Sequence, residues 1–272
     1  MEEKTMPELP EMETYRIMLQ QLVAGHTITG VIITREKSIN VPIEQFSDQV
    51  MNQKIESIDR KAKHLIFRLK NGVCLLLHLM LGGSMFYGTK GEKPDRTVQV
   101  QLSFEDRHLY FIGLRLGYLH LFSPEELKSK LQNIGPEPID PNFSLDAFLT
   151  IMKNKRGGLK TTLMNQEVIA GIGNRYSDEI LWHAQLLPDK KINELEQEDV
   201  VRLYNSIRFI LQKAIQSGGY MGPLFKGDYK TGGYNMYVHG LEGKACSRCG
   251  HPILKEELSS RKTYFCQNCQ LS

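Results

Sequence analysis

Residues 27–122 read as strands. The runs TITGVIITR, HLIFRL, VCLLLHLML, VQVQLSF and LYFIGLRLGYLHLF are rich in branched and aromatic residues, and turn signals such as LKNG and FEDR separate them. Ahead of them, residues 10–23 carry helical spacing. Pro10 stands near the start, apolar residues recur at Met12, Tyr15, Met18, Leu19 and Leu22, and Ala-Gly ends the run. The pattern predicts a β-sandwich or barrel with a helix at its edge. Residues 134–141 (IGPEPIDP) hold three prolines and a glycine and read as a linker. Beyond it the period turns helical over 145–152, 168–170, 176–184 and 197–217, the last being the longest amphipathic stretch. A Gly- and Tyr-rich loop over 218–233 and a cysteine-bearing tail follow.

Composition narrows the class. Hydrophobic residues make up 41% and charged residues 24% of 272 positions, as in soluble globular proteins. No run approaches the roughly 20 apolar residues of a membrane helix. The acidic, Pro-bearing start MEEKTMPELPE lacks the pattern of a secretory signal, so a cytoplasmic protein is expected. A net charge of +3 permits a nucleic-acid partner without requiring one. Locally, Lys153, Lys155, Arg156 and Lys160 cluster without an intervening acid. Nothing calls for an obligate oligomer, and a monomer is expected.

Four of the five cysteines form Cys246-x2-Cys249-x16-Cys266-x2-Cys269, while Cys74 stands alone in an apolar run. Two Cys-x-x-Cys turns can close a tetrahedron around one structural Zn²⁺, with two disulfides or a redox pair as the competing readings. Such a metal supplies on the order of 10 kcal/mol of folding energy to a piece too small to own a core.

The segment Met6-Pro-Glu-Leu-Pro-Glu-Met-Glu-Thr14 resembles the start of the Fpg/Nei family of DNA glycosylases, in particular the formamidopyrimidine-DNA glycosylase branch. Further resemblances follow in order: Arg60-Lys-Ala-Lys63 to the basic strand motif, His78-Leu-Met-Leu-Gly-Gly-Ser84 to the next strand and turn, and Ile134-Gly-Pro-Glu-Pro138 to the hinge. Gly171-Ile-Gly-Asn-Arg-Tyr176 resembles the helix-two-turns-helix turn, and Arg261-Lys-Thr-Tyr-Phe-Cys266 the zinc-ribbon hairpin. The resemblance implies an α+β multidomain protein. Its parts are an N-terminal β-sandwich with a flanking helix (7–133), a hinge linker (134–144), a helical helix-two-turns-helix domain (145–240) and a zinc ribbon (241–272). It implies an enzyme that clamps double-stranded DNA, flips a damaged, oxidised base or engages an abasic site, and cuts the N-glycosidic bond.

By the same resemblance, Pro7 is the nucleophile once the initiator Met is removed. A free N-terminal proline is a secondary amine that attacks C1′, and the resulting iminium is an electron sink that drives β/δ-elimination of the phosphates. Five residues precede Met6; if they stay, Pro7 is an acylated nitrogen with no lone pair to give. Met6 is therefore expected to be the true start. Glu8 is the implied general acid/base, needing burial to raise its pKa. Lys63 assists elimination and contacts phosphate, while its neighbours Arg60 and Lys61 are expected to face solvent. Arg261 grips the phosphate beside the lesion. Asn174 clamps phosphate from a turn whose glycines admit close backbone approach. Lys155 and Lys160 are expected to support the DNA backbone, Arg96 matches a possible contact, and His78 lines the site.

The chain departs from the family where the extruded base leaves a gap. The family's Met there is Leu81. The family run Asp-Pro-Arg-Arg-Phe-Gly reads Ile112-Gly-Leu-Arg-Leu-Gly117 when aligned on its last glycine. The gap-filling Arg becomes Leu114 and the wedge Phe becomes Leu116, leaving Arg115 as a phosphate contact. A lesion other than 8-oxoguanine is one consequence. Two other functions remain open: a monofunctional glycosylase in which Glu8 activates water, and a non-catalytic binder of damaged DNA.

Overall fold

The computed structural model describes residues 6–270. Met1–Thr5, on which the expectation about the start rests, lie outside the described residues. The chain forms two compact units: one ends at Asn133 and also takes in Ser217–Gly233, and the other comprises Ile134–Gln216 and resumes at Tyr234.

The first unit begins with α1 (Leu9–Leu22), entered through a reciprocal capping box between Glu8 and Glu11 with Pro10 in the first turn. Then come β1 (Gly30–Ile33), α2 (Ile43–Val50), β2 (Ile55–Lys61), β3 (His64–Leu69), β4 (Cys74–His78), β5 (Ser84–Thr89), β6 (Val98–Phe104), β7 (Arg107–Ile112), β8 (Tyr118–Phe122) and α3 (Pro124–Leu131). Two antiparallel four-stranded sheets result, in the orders β1-β6-β7-β5 and β2-β3-β4-β8. Their inner faces alternate as the period of two demands. Leu65, Phe67, Leu75 and Leu77 of one sheet share a core with Val100, Leu102, Leu109 and Phe111 of the other, and α1 adds Met12, Tyr15, Met18 and Leu19. β3 and β4 read as unbroken apolar runs because their second face is covered too: Ile66, Cys74 and Leu76 pack with Leu127 of α3. The sequence pattern does not separate α2, α3, β2 and β5 as elements, since polar and apolar positions are mixed in each.

The second unit holds α4 (Leu145–Lys153), α5 (Leu159–Leu163), α6 (Asn174–Ala184), α7 (Gln197–Gln216), and a ribbon of β9 (Leu254–Leu258) and β10 (Arg261–Phe265). Residues 168–170, expected to be helical, form turns and bends instead. Three apolar residues at that spacing cannot distinguish a helix from a buried turn. The proline-rich segment is fastened to this unit: Gly135 N–H donates to the Gln166 carbonyl, Ala170 N–H to that of Pro136, and Arg208 to those of Pro138 and Asp140. The loop Ser217–Gly233, expected within the helical domain, belongs to the sandwich unit. Leu224 is buried in the sandwich core and its carbonyl accepts Tyr87 N–H at 2.7 Å. Among the described residues no helix is long and apolar enough to cross a membrane.

Candidate DNA-processing site and metal centre

In the sandwich unit, Pro7 and Glu8 lead directly into α1, and both are buried. Glu8 is 3% exposed. Its backbone N–H donates to Glu11 Oε2 at 2.9 Å, which fixes the turn at the head of the helix. Glu11 in turn accepts Tyr220 N–H on Oε1 at 3.1 Å, and Tyr220 donates its hydroxyl to the Met6 carbonyl at 3.0 Å. A side chain at Gly219, where φ is +68°, would strike Glu11 at 2.5 Å, so only glycine lets the loop approach. The Gly/Tyr-rich loop is thus bolted onto the N-terminal segment. Sequence reasoning missed Glu11, which looked like one of several acids in a run.

Lys63 stands in the two-residue turn between β2 and β3, preceded by Ala62 at a φ of +53°. Lys63 is buried. Arg60 does not face solvent as expected: its guanidinium donates to Glu13 at 2.7 Å and to the Ala62 carbonyl at 3.0 Å, bracing the turn that carries Lys63. Burial raises the Glu13 carboxyl, but Arg16 and Arg60 outweigh it and hold the pKa below the ordinary value.

His78 lies across from His64 in register, with ring centroids 4.2 Å apart, and Tyr118 meets both rings. Burial pushes the pKa of His64 down to about 4, and burial together with the neighbouring His64 and Lys63 pushes His78 down to about 3. At neutral pH His78 therefore offers a hydrogen-bonding ring, not a cation.

The turns after β4 and β7 lie side by side: a Cβ on Gly113 would sit 2.2 Å from the Gly82 carbonyl oxygen. Arg96 braces the first of them, donating to Ser84 Oγ at 2.9 Å and the Gly82 carbonyl at 3.1 Å. Leu81 and Leu116 are exposed at 48% and 60%, and Arg115 is exposed beside them. Leu114 is different. It is 0% exposed, and its carbonyl accepts Arg35 and Ser38. As part of the sandwich core it cannot fill a gap in DNA, which fits the loss of the family's gap-filling Arg at this position.

In the second unit, Asn174 opens α6, N-capped by Gly173. Its Nδ2 donates to the Lys262 carbonyl at 3.0 Å, while Oδ1 is buried without a hydrogen-bond partner among the described residues. Gln166 shapes the preceding turn through Gly171 N–H and the Ile172 carbonyl. Arg261 is exposed at the ribbon tip, directly after Ser259 and Ser260, both in left-handed conformation. Lys155 is half-buried just beyond α4.

Lys160 overturns its expected role. It is 1% exposed, and Nζ donates to Asp178 at 2.6 Å, Thr263 Oγ1 at 2.8 Å and the Lys262 carbonyl at 3.1 Å. A phosphate has no access to an ammonium that is itself buried and donates to three protein acceptors. Asp178 also accepts Tyr264 N–H at 3.1 Å and pairs with His239 at 2.7 Å. Beside it, Glu179 accepts the backbone N–H groups of Tyr237, Val238 and His239 at 2.8–2.9 Å. Burial raises its pKa, against the pull of those three donors. The adjacent acids Asp178 and Glu179 in the middle of α6, just before the apolar run Ile-Leu-Trp, were the available signal for this network.

The four ribbon sulfurs lie within 4.8 Å of one another. The Cys246–Cys269 and Cys249–Cys266 pairs are 3.8 and 3.5 Å apart, far beyond a disulfide's roughly 2.05 Å. Tetrahedral Zn–S bonds of about 2.3 Å put sulfurs about 3.8 Å apart, so this all-thiol donor set fits one structural Zn²⁺.

Three family models match the chain in succession: the formamidopyrimidine-DNA glycosylase N-terminal domain over residues 6–118, the formamidopyrimidine-DNA glycosylase H2TH domain over 134–222, and the zinc finger found in FPG and IleRS over 243–271. The formamidopyrimidine-DNA glycosylase of Listeria innocua is 34% identical over 274 residues, covering 97% of this chain and 100% of that protein. The formamidopyrimidine-DNA glycosylase of Enterococcus faecalis is 34% identical over 281 residues, with 97% of each covered. Lactococcus lactis Fpg, solved with DNA containing N7-benzyl-Fapy-dG, superposes with a TM-score of 0.90 at 31% identity, over 98% of this chain and 100% of that one. The same enzyme with abasic-site DNA gives 0.90 at 31%, over 97% and 100%. With sandwich, H2TH element and ribbon each matched in order and the relatives covered end to end, the chain belongs to the formamidopyrimidine-DNA glycosylase family.

Proposed function

We propose that this protein is a base-excision repair enzyme of the cytoplasm, acting as a monomer: a DNA N-glycosylase with AP-lyase activity that takes a damaged, oxidised base from double-stranded DNA. Pro7, freed at its nitrogen, attacks C1′ of the flipped nucleotide. The C1′–N bond breaks, and the base leaves with a proton. Glu8 moves protons at the sugar, and the iminium formed on Pro7 draws electrons as the 3′ and then the 5′ phosphate is eliminated; water finally releases Pro7. Lys63 assists elimination. Arg261, Asn174, Lys155, Arg96 and Arg115 hold phosphates. Leu81 and Leu116 enter the base stack as apolar wedges, and His78 lines the site as a neutral ring.

The observation that carries this reading is the fixed head of α1. Glu8 is buried at the N-cap, and Glu11, accepting the backbone N–H groups of Glu8 and Tyr220, holds the segment that carries Pro7 through bonds that do not involve Met6. A binder of damaged DNA has no use for such a built N-terminus. Borohydride trapping tests it. Protein beginning at Pro7 is expected to form a covalent adduct with abasic-site DNA, and protein retaining Met1–Thr5 is expected to form none. Absence of adduct from the Pro7 form, with free base still released, would reassign the protein as a monofunctional glycosylase; absence of both would make it a binder.

A further inference from the structure

The chain has one tryptophan, Trp182, in the last turn of α6. It is buried, and its indole N–H donates to the sulfur of Cys246 at 3.4 Å. A buried indole N–H needs an acceptor. Here the acceptor is one of the four sulfurs that fit the metal, not a backbone carbonyl.

The knuckle that supplies this sulfur also grips the indole. Arg248, between Cys246 and Cys249, places its guanidinium 4.1 Å from the Trp182 ring centre and donates to the Trp182 carbonyl at 3.0 Å. Tyr237 stacks on the same indole at 4.5 Å and 15°. These contacts fix the ring, and so the direction of its N–H.

The ribbon meets α6 again further up. Asp178 accepts Tyr264 N–H, and Asn174 donates to the Lys262 carbonyl. Trp182 lies eight residues after Asn174, about 12 Å along the helix at about 1.5 Å per residue. Among these hydrogen bonds between α6 and the ribbon in the described residues, that of Trp182 reaches a metal ligand.

We propose that Trp182 is a positioning residue of the zinc centre: its N–H holds the Cys246 sulfur in the metal-binding orientation and ties metal retention to α6. Groups that orient a ligand from outside the coordination sphere change metal affinity by about 10–100-fold when removed. The proposal concerns zinc retention alone and stands whether or not the protein excises bases.

Trp182→Phe in the full-length protein keeps a flat ring for Arg248 and Tyr237 but has no donor. Competition with a chromophoric chelator is expected to show zinc held about 10–100-fold more weakly than in wild type. Equal affinity overturns the proposal. A second measurement needs no variant. In wild-type protein loaded with ¹¹³Cd in place of zinc, the lone indole N–H resonance is expected to show scalar coupling to cadmium, transmitted through the hydrogen bond to Cys246. An indole resonance with no such coupling, and with the same shift in zinc and cadmium forms, also overturns it. Mere packing of the ring could weaken zinc retention in Trp182→Phe but would not produce the coupling to cadmium, so the second measurement separates the two roles.

Discussion

In the sandwich unit, the groups that pin the fold are apolar: Leu65, Phe67, Leu77, Val100, Leu102 and Phe111 meet between two sheets. In the helical unit buried polar groups share that part with an apolar core that includes Phe148, Leu163, Ile180, Leu203 and Ile207. Lys160, Asp178, Glu179 and His239 are buried around α6 and fasten the ribbon and the segment before it by named hydrogen bonds. Apolar cores tolerate repacking and degrade gradually. A buried charge network fails abruptly when one partner goes, because the remaining charge is stranded in a poor solvent. The proposed chemistry sits on the first kind of scaffold together with Arg96 and Arg115, and the proposed phosphate contacts of Lys155, Asn174 and Arg261 sit on the second.

Removing the metal tests that contrast most severely. Chelation, or Cys269→Ser, withdraws on the order of 10 kcal/mol of folding energy from the ribbon. Calorimetry is expected to show the helical unit's transition collapse while the sandwich's stays in place, and DNA binding is expected to be lost. A parallel fall of both transitions would erase the distinction.

Glu8→Gln probes the opposite side. Base release is expected to drop by about 10²–10⁴-fold, with zinc content and affinity for abasic-site DNA kept. Single-turnover rates and a binding titration on one preparation separate the two effects.

Asp178→Ala strands Lys160 without its carboxylate. A loss of about 3–5 kcal/mol in urea unfolding is expected, confined to the helical unit. Replacing Lys160 and Asp178 together by apolar residues of similar volume is expected to cost far less, since no lone charge remains. Equal losses for the single and double variants would show that packing, not charge, holds this site.

The smallest effect is pH-dependent and belongs to the sandwich. His64 and His78 titrate at about 4 and about 3, below their ordinary value, chiefly because both are buried. The unfolded chain therefore binds more protons below about pH 6.5. The stability this pair contributes is present in full above that pH and is lost as pH falls through the two lowered values. Melting temperature is expected to drop by a few degrees between about pH 6.5 and about pH 5.5, where the pair loses about 2 kcal/mol, on the scale of about 2–4 °C per kcal/mol. Replacing both rings by phenylalanine should flatten that slope; an unchanged slope would place the titration elsewhere.

Much of this was legible in the chain. The runs of branched and aromatic residues became β3, β4, β6, β7 and β8, because turn signals bound them, and the amphipathic stretch over 197–217 became α7, because it repeats its period long enough to be distinctive. The glycosylase resemblance rested on short motifs in order, and the family models match the same order. What misled was charge. Lys160 reads like Lys153, Lys155 and Arg156 beside it, yet its partners lie 18 and 103 residues away. Arg60 looked like a surface cation and is held by Glu13, 47 residues earlier. Leu114 and Leu116 look alike in sequence, and one is core while the other is exposed.

The sequence by itself determined the elements with sustained periodicity, the four-cysteine metal centre and the family, because periodicity and ligand spacing are local properties that a short stretch carries whole. Tertiary structure alone decided which cations are available to a phosphate, which leucine can leave the protein surface, where the loop Ser217–Gly233 is anchored, and that the lone indole reaches a metal ligand. Burial and pairing depend on distant partners, and no stretch of chain contains the environment in which its side chains come to lie.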